Sequence, residues 1–267
     1  MTVGRNWIHL AGVIWPLLTE AGSAGETLTY TKVAPTIATN PLSVGLALGP
    51  IQTYCMENRL PPLTAVVVGK NSGMPGGGFV AWDVDDLAAA LSAVAAYNWE
   101  LIGNPFAGFG AEDTEDTFAE ALIDDPGNAV DVYHRVRDRG MAQRIFRRAL
   151  LLAYDERCAF CGLAFPDALE AAHIVPWSSC EPAQRLDVRN GVLLCASHHR
   201  LFDRNIMWLQ DNFLITYYDP EEKDGRYRKV DRAFTIALHG SNIRLPKDPT
   251  HHPDSANLRR RLALAAK

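Results

Sequence analysis

The chain has 267 residues, of which 48% are hydrophobic and 21% charged, and its formal net charge is −5. This composition is typical of a globular protein and excludes a disordered, collagen-like or coiled-coil chain. No apolar run approaches the roughly 18 residues of a membrane-spanning helix, and five cysteines over this length do not make the disulfide framework of a small secreted domain. We therefore expect a soluble protein in the reducing cytoplasm.

The first predicted element is a helix that begins near Trp7. A basic residue, an apolar stretch and then small residues also outline a secretory signal peptide, but His9 and Pro16 interrupt the stretch. Its apolar residues recur at the spacing of an amphipathic helix: Trp7, Leu10, Ala11, Ile14, Trp15 and Leu18. We predict a packed first helix with a kink near Pro16.

A helix-turn-helix pattern follows. Thr31 is a suitable N-cap for a short helix, and Asn40 before a proline opens a second one that runs to about Asn58. Segments 63–68 and 79–82, joined by a glycine-rich turn, have the composition of a hairpin. Two helices followed by a hairpin predict a winged helix.

The strings TYTKVAPTI, NPLSVGLALGPIQ and LPPLTAVVVGKNSGMPGGGF resemble the winged-helix half of the alkylguanine-DNA alkyltransferase-like proteins. That resemblance implies a DNA-reading module whose second helix enters the minor groove. Where that family has Pro-Cys-His-Arg, this chain has Leu60-Pro61-Pro62-Leu63, so alkyl transfer is not implied and Cys55 is interpreted as a core thiol. The expected DNA contacts are Asn40, Ser43, Lys70 and Asn71, with Arg59 as a phosphate anchor. The alternative is a winged helix used only for packing or dimerisation.

The charge changes sign along the chain. Residues 71–134 carry twelve acidic and no basic side chains, whereas residues 135–267 carry 22 basic and 16 acidic ones. We interpret the acidic block as a solvated linker or helix. This divides the chain into a winged-helix-like domain at 1–110, an acidic connector at 111–134 and a third segment at 135–267. Three arginines at the start of that segment are expected to contact phosphates: Arg144, Arg147 and Arg148.

The C-terminal segment contains two pairs of zinc-ligand residues. Cys158 and Cys161 form the first pair, and Cys195 and His198 form the second. Three thiolates and one imidazole suit tetrahedral Zn²⁺. The spacing predicts a structural zinc site, and the alternative is free cysteines in a reducing cell.

Between and after these pairs lie the strings LEAAHIVPW, RNGVLLC and HHRLFDRN. Their order resembles that of the HNH endonuclease family over about residues 140–218, which implies a ββα-metal fold. The family pattern supplies its first histidine at His173, its asparagine at Asn190 and its second histidine at His199. The whole chain is thus predicted to be an α+β protein, with an N-terminal winged helix-turn-helix-like domain and a C-terminal zinc-stapled ββα-metal domain.

The chemistry of these residues agrees with phosphodiester hydrolysis. His173 is suited to act as general base because histidine titrates near neutral pH, and Asn190 would orient it. His199 and Asp203 are four residues apart on a predicted helix, so one face can present both to a divalent cation, Mg²⁺ or Mn²⁺. Arg200 and Arg204 flank that face and are candidates for phosphate contact.

One residue departs from the family pattern, because many members have a further metal ligand where this chain has Ala172. A small reading domain fused to such a site resembles the modification-dependent restriction enzymes of bacteria. This implies double-stranded DNA, in methylated form, as the substrate. The alternatives are a zinc-containing DNA-binding or regulatory protein with a decayed site, and a nuclease acting on RNA. The sequence leaves both a monomer and a homodimer open.

Overall fold

The computed structural model describes residues 5–136 and 139–265. It combines helices with short two-stranded sheets, the α+β class that the sequence predicts. The described residues separate into two compact units. The first takes the residues up to Thr114 and those between Arg135 and Gly140, and the second takes 115–134 and the residues from Met141 onward. Within the described ranges, no helix is long and apolar enough to cross a membrane.

The first unit is built around helix α1 (Trp7–Ser23), whose first turn is capped by the side chain of Asn6. The predicted apolar stripe is buried at Ala11, Ile14, Trp15 and Leu18. The Trp15 ring contacts three other aromatic rings, those of Tyr54, Trp99 and Phe106, at centroid distances of 5.7–5.9 Å. The prediction of a packed first helix is confirmed.

Pro16 lies inside α1. Proline has no N–H, so the carbonyl of Gly12 has no intrahelical donor. The side-chain amide of Asn104 donates to that carbonyl at 2.8 Å. This hydrogen bond satisfies the Gly12 carbonyl oxygen, which would otherwise lack a donor because of Pro16, and α1 continues to Ser23.

The predicted pair of helices is present as α2 (Tyr30–Val33) and α3 (Val44–Glu57). Thr29, and not Thr31, caps α2. Asn40 caps the short 3₁₀ turn that leads into α3. The turn between the two helices passes through Ala38, which adopts a left-handed conformation with φ 47°.

The predicted hairpin between 63–68 and 79–82 is wrong. Strand β1 (Leu28–Thr29) pairs in parallel with β2 (Val67–Val68), and residues 63–66 form a 3₁₀ turn. Both strand residues, Val67 and Val68, are buried, which fits a parallel strand covered on both faces and not an alternating wing strand.

Residues 79–82 contain no strand because side-chain hydrogen bonds hold the glycine-rich segment instead. The amide N–H of Gly76 donates to the hydroxyl of Tyr30 at 2.9 Å. The Gln52 side chain donates to the carbonyl of Gly78 and accepts from the amide of Val80. A further helix, α4 (Leu87–Ala96), completes the regular structure described in this unit.

The acidic block, interpreted from the sequence as a solvated linker or helix, contains a helix. Helix α5 (Glu115–Asp124) buries Phe118, Ala119 and Leu122, and the carbonyl of Ile123 hydrogen-bonds His251 at 2.7 Å. Residues 115–134 therefore belong to the second unit. The apolar residues within the acidic block explain why this helix packs as part of the second unit.

The second unit continues with α6 (Ala129–Val136) and α7 (Arg139–Ala153), of which the residues from Met141 belong to it. Strands β3 (Leu169–His173) and β4 (Gly191–Cys195) pair antiparallel, with His173 opposite Gly191, and helix α8 (Ala196–Asp203) follows directly. The two strands and the helix predicted from the sequence are confirmed. A Cβ on Gly191 would lie 2.6 Å from the ring of Phe146, so the absence of a side chain lets α7 pack against the hairpin.

Beyond α8 the chain forms a second small hairpin and two helices. The elements are β5 (Met207–Leu209), β6 (Ile215–Tyr217), α9 (Lys229–Phe234) and α10 (Ser255–Ala265). The β5 and β6 strands pair antiparallel.

Candidate functional site

The four predicted zinc ligands come together. One ligand atom from each of Cys158, Cys161, Cys195 and His198 lies within 4.8 Å of the others. The Nδ1 atom of His198 is 3.2 Å from the Cys195 sulfur and 3.7 Å from the Cys158 sulfur. Tetrahedral Zn²⁺ with its usual bond lengths separates neighbouring sulfur and nitrogen ligands by about 3.6 Å. The donor set and its spacing fit a structural zinc ion.

The imidazole of His198 is held in place by contacts on the side of the ring that faces away from the cysteines. Its Nε2 atom donates to the carbonyl of Phe234 at 2.9 Å, and the two rings stack at 3.9 Å. Nδ1 is then the nitrogen that faces the cysteines, the usual arrangement of a metal-binding histidine. Hydrogen bonds from Cys161 and Cys195 lower the pKa of the Cys158 thiol, which favours the thiolate that a metal requires.

Among the residues that the structure describes, Cys55 belongs to no such cluster. It is 1% exposed on α3, and burial raises the pKa of its thiol to about 11. A thiol with this pKa is protonated at neutral pH and unreactive. The interpretation of Cys55 as a core thiol is confirmed.

Three of the predicted catalytic residues line one cavity of about 460 Å³ in the second unit. His173 enters it from the end of β3, and His199 and Asp203 enter it from α8. Two further cavity residues, Trp177 and Arg261, were not identified from the sequence as site residues. The hairpin and the helix thus bring together side chains that are 26 and 30 positions apart in sequence.

The ring of His173 is held by its surroundings. It stacks on Phe146 at a centroid distance of 4.3 Å and meets Trp177 edge-on at 5.6 Å. Its Nε2 atom is 3.0 Å from the carbonyl oxygen of Arg185, and a carbonyl can only accept. Nε2 therefore carries the hydrogen, and in the neutral ring Nδ1 is the basic nitrogen.

Asn190 does not line the cavity; it is fully buried behind the loop that follows β3. Its Oδ1 atom accepts from the amide of Val175 at 2.9 Å, and its Nδ2 atom donates to the carbonyl of Gln184 at 3.1 Å. Gln184 precedes Arg185, whose carbonyl holds His173. The asparagine therefore fixes the loop that orients the imidazole.

His199 lies between two carboxylates. Its Nδ1 atom is 2.6 Å from Oε2 of Glu170, and its Nε2 atom is 3.3 Å from Oδ2 of Asp203. Glu170 can only accept, so Nδ1 carries the hydrogen and Nε2 of the neutral ring has a lone pair facing Asp203. Two acceptors at this distance repel each other unless a proton or a cation lies between them. The pair therefore fits a divalent cation as ligands.

Glu170 is a residue that the sequence did not identify. It is 29 positions from His199, and no spacing rule connects a strand to a helix over that distance. The available signal is its position as the exposed acidic residue in an otherwise apolar strand, Leu169–His173.

The arginines expected to contact phosphates differ in their surroundings. Arg200 and Arg204 are exposed and line an open groove together with Glu170, His199 and Asp203. Arg144 pairs with Glu115 at 2.8 Å, and Arg148 pairs with Asp116 at 2.7 Å. Phosphate contact by either would require its ion pair to open.

Arg147 has a structural contact in this arrangement. Its guanidinium donates to the backbone carbonyls of Leu169 and Pro166 at 2.8 and 2.6 Å. It therefore connects α7 to the start of β3.

The DNA-contacting residues predicted in the first unit lie at its surface. Asn40, Arg59, Lys70 and Asn71 are exposed, and Ser43 is half-buried at the start of α3. Asn40 uses its side-chain oxygen to accept from the amide of Ser43. Lys70 and Asn71 lie in a turn closed by the bond from the Gly73 amide to the Gly69 carbonyl, and not on a wing.

A scan against protein families matches residues 158–209 to a family described as HNH endonuclease. A search of the curated proteins finds no match. The matched segment spans both zinc-ligand pairs, the β3–β4 hairpin, α8 and the cavity residues His173, His199 and Asp203. The family implies a nucleic-acid substrate. Residues 158–209, within the second unit, are therefore similar to the HNH endonuclease family.

Proposed function

We propose that this protein is a divalent-metal-dependent endonuclease that hydrolyses phosphodiester bonds of double-stranded DNA. The observation that carries the proposal is that an oriented imidazole, His173, and a metal-binding pair, His199 and Asp203, line the same cavity. Water activation and stabilisation of phosphate charge are the two tasks that the reaction requires. Mg²⁺ suits a site with two protein ligands, because it keeps several waters; Mn²⁺ accepts similar ligands.

His173 acts as the general base. With Nε2–H held by the Arg185 carbonyl, Nδ1 takes a proton from the attacking water. The water oxygen forms a bond to phosphorus, the bond to the 3′ oxygen breaks, and the leaving oxygen receives a proton from solvent. His199 and Asp203 would hold the cation, which would supply positive charge to the scissile phosphate and the departing oxygen.

The remaining residues orient these groups. Glu170 fixes the ring of His199, and Asn190 fixes the loop that carries the Arg185 carbonyl. Arg200 and Arg204 are exposed in the groove beside α8, where they are placed to contact backbone phosphates. Ala172 is fully buried, so α8 supplies the protein ligands of the cation.

We further propose that the protein acts as a modification-dependent restriction enzyme, in which the first unit selects methylated DNA and the second unit cuts it. The HNH site faces phosphates, and phosphate contacts carry no direct sequence information. Target choice is therefore assigned to the first unit, at Asn40, Ser43, Arg59, Lys70 and Asn71.

The test is cleavage of one plasmid, methylated and unmethylated, and of an RNA of similar length, with Mg²⁺ or Mn²⁺. His173→Ala should lower DNA cleavage by about 10²–10⁴-fold, the usual contribution of a general base, without changing zinc content. His252→Ala is the matched control. Nε2 of His252 also contacts a backbone carbonyl, that of Pro246 at 3.0 Å, but this histidine lies outside the cavity.

Three outcomes would contradict the proposal. Cleavage by His173→Ala at a rate within tenfold of wild type would show that His173 is not the general base. Binding of DNA without cleavage under any condition would indicate a DNA-binding protein with a decayed site. Cleavage of RNA but not of DNA would show that the substrate is RNA.

A further inference from the structure

The cavity of the HNH domain is completed by a side chain from outside the matched segment. Arg261 lies on α10, 52 positions beyond the last matched residue, Leu209. It is 5% exposed and lines the cavity together with His173, His199 and Asp203.

The guanidinium of Arg261 bridges two elements. Nη1 donates to the carbonyls of His173 and Ile174 at 3.3 and 3.0 Å. Nη2 donates to the carbonyl of Phe202 and, at 3.3 Å, to the side-chain oxygen of Asn205. The first two acceptors lie at the end of β3, and the second two lie at the end of α8. A single side chain therefore links the strand that carries His173 to the helix that carries His199 and Asp203.

These contacts come with an energetic cost. The four acceptors are neutral oxygens, and within the described part of the chain Nε is buried without an acceptor. The ring of Phe202 lies under the guanidinium at 3.7 Å, which recovers a part of the lost hydration. A buried cation without a paired carboxylate is an expensive way to join two elements, so packing alone does not account for it.

The position of the charge gives it a use. Asp203 lines the cavity that must receive an anionic phosphate, and Glu170 contacts the other side of His199 from the open groove beside α8. A fixed positive charge beneath the cavity offsets their field, and a charge held in a low-dielectric environment acts more strongly than one in solvent.

We propose that Arg261 is a positioning residue of the nuclease, which holds the general base His173 and the metal-binding pair His199 and Asp203 at a fixed separation. This inference rests on the proposed function. It makes the C-terminal helix α10 a necessary part of the active site, although that helix lies outside the matched HNH segment.

The test uses the full chain with three substitutions: Arg261→Met, Arg261→Lys and, as a control, Arg259→Met. Arg259 is on the same helix but is exposed, and it pairs with Asp211 at 3.3 Å. Each variant is compared with wild type for unfolding midpoint, for kcat and KM of DNA cleavage, and for Mn²⁺ affinity by calorimetry. Activity is measured well below the unfolding midpoint of each variant, so that all are folded.

Arg261→Met should lower kcat by about 10²-fold, the loss that a misplacement of about 1 Å causes, with KM within about threefold of wild type. Its Mn²⁺ affinity should fall by about 10–100-fold, as for other residues that orient metal ligands. Arg261→Lys keeps the charge but reaches fewer carbonyls, so its kcat should lie between those of Arg261→Met and wild type. Arg259→Met should match wild type in all measurements.

Two results would overturn the inference. A higher KM with unchanged kcat would make Arg261 a phosphate-binding residue, and unchanged kcat and Mn²⁺ affinity in folded Arg261→Met would make it a packing residue. If wild type cleaves no nucleic acid, the proposed function fails, but the Mn²⁺ titration still decides the inference: weaker binding in Arg261→Met supports it, and equal binding overturns it.

Discussion

The carboxylate of Glu170 decides which nitrogen of His199 faces Asp203 and the proposed cation site. Because it accepts from Nδ1 at 2.6 Å, it leaves Nε2 on the side of Asp203. Removing it in Glu170→Ala frees the ring to rotate, so we expect the Mg²⁺ concentration for half-maximal cleavage to rise by about 10–100-fold. Glu170→Gln keeps an oxygen acceptor without the charge and should lie between Glu170→Ala and wild type.

A control for this prediction is Asp167→Ala, which removes an exposed carboxylate three positions earlier. It should leave the metal dependence unchanged. The same metal dependence in Glu170→Ala as in wild type would show that the contact with His199 has no role in cation binding.

Residues differ in how far the sequence identifies them. The sequence identifies His173, Asn190 and His199 by their resemblance to the HNH pattern. It identifies Asp203 by its spacing of four residues from His199 on a helix. The contacts of Glu170 and Arg261 depend on the pairing of β3 with β4 and on the docking of α10. Since those contacts join positions 29 to 88 residues apart, no local pattern reports them.

At the scale of elements, the four predicted zinc ligands belong to three segments of the second unit. Cys158 and Cys161 follow α7, Cys195 ends β4, and His198 lies in the first turn of α8. A Zn²⁺ ion held by these residues would join the three segments, so its binding energy would be folding energy. Cys158→Ser and Cys195→Ser should lose bound zinc and lower the unfolding midpoint and the solubility, as measured by metal analysis and thermal unfolding.

The matched control is Cys55→Ser in the first unit, where a buried thiol contacts no zinc ligand. It should keep full zinc content. Chelators of weakly bound divalent ions should stop cleavage reversibly while zinc remains in place. Purified wild-type protein without zinc would remove the structural metal from this account.

Elements also show where sequence patterns fail. The ββα arrangement follows from two apolar runs and a helix with turns between them, and it is observed. The run Leu63–Val68 has the composition of a strand, but the sequence did not predict which segment its strand residues pair with. Pairing with β1 (Leu28–Thr29) requires the helices α2 and α3 to bring distant segments together. In the segment that suggested a turn, Gly76 donates to the Tyr30 hydroxyl and Gly78 accepts from the Gln52 side chain.

For the whole molecule, the division into two units allows the proposed reading and cutting functions to be tested separately. A fragment that begins at Glu115 contains the second unit with α5, including the ion pairs of Arg144 and Arg148. We expect it to keep zinc and metal-dependent cleavage but to cut DNA weakly and with no preference between methylated and unmethylated plasmid. Phosphate contacts alone would then determine its binding.

A fragment that begins at Gly127 tests whether α5 is part of the second unit. It lacks α5, so the buried Phe118 and Leu122 are lost, together with the carboxylates of Glu115 and Asp116 that pair with Arg144 and Arg148. Loss of two large buried side chains costs about 2–5 kcal/mol each, so this fragment should unfold at a clearly lower temperature than the one that begins at Glu115. Equal unfolding midpoints for the two fragments would show that residues 115–126 act as a linker and do not stabilise the second unit. If the longer fragment discriminated between the two plasmids as the full chain does, target choice would lie in the HNH domain, and the assignment of reading to the first unit would be wrong.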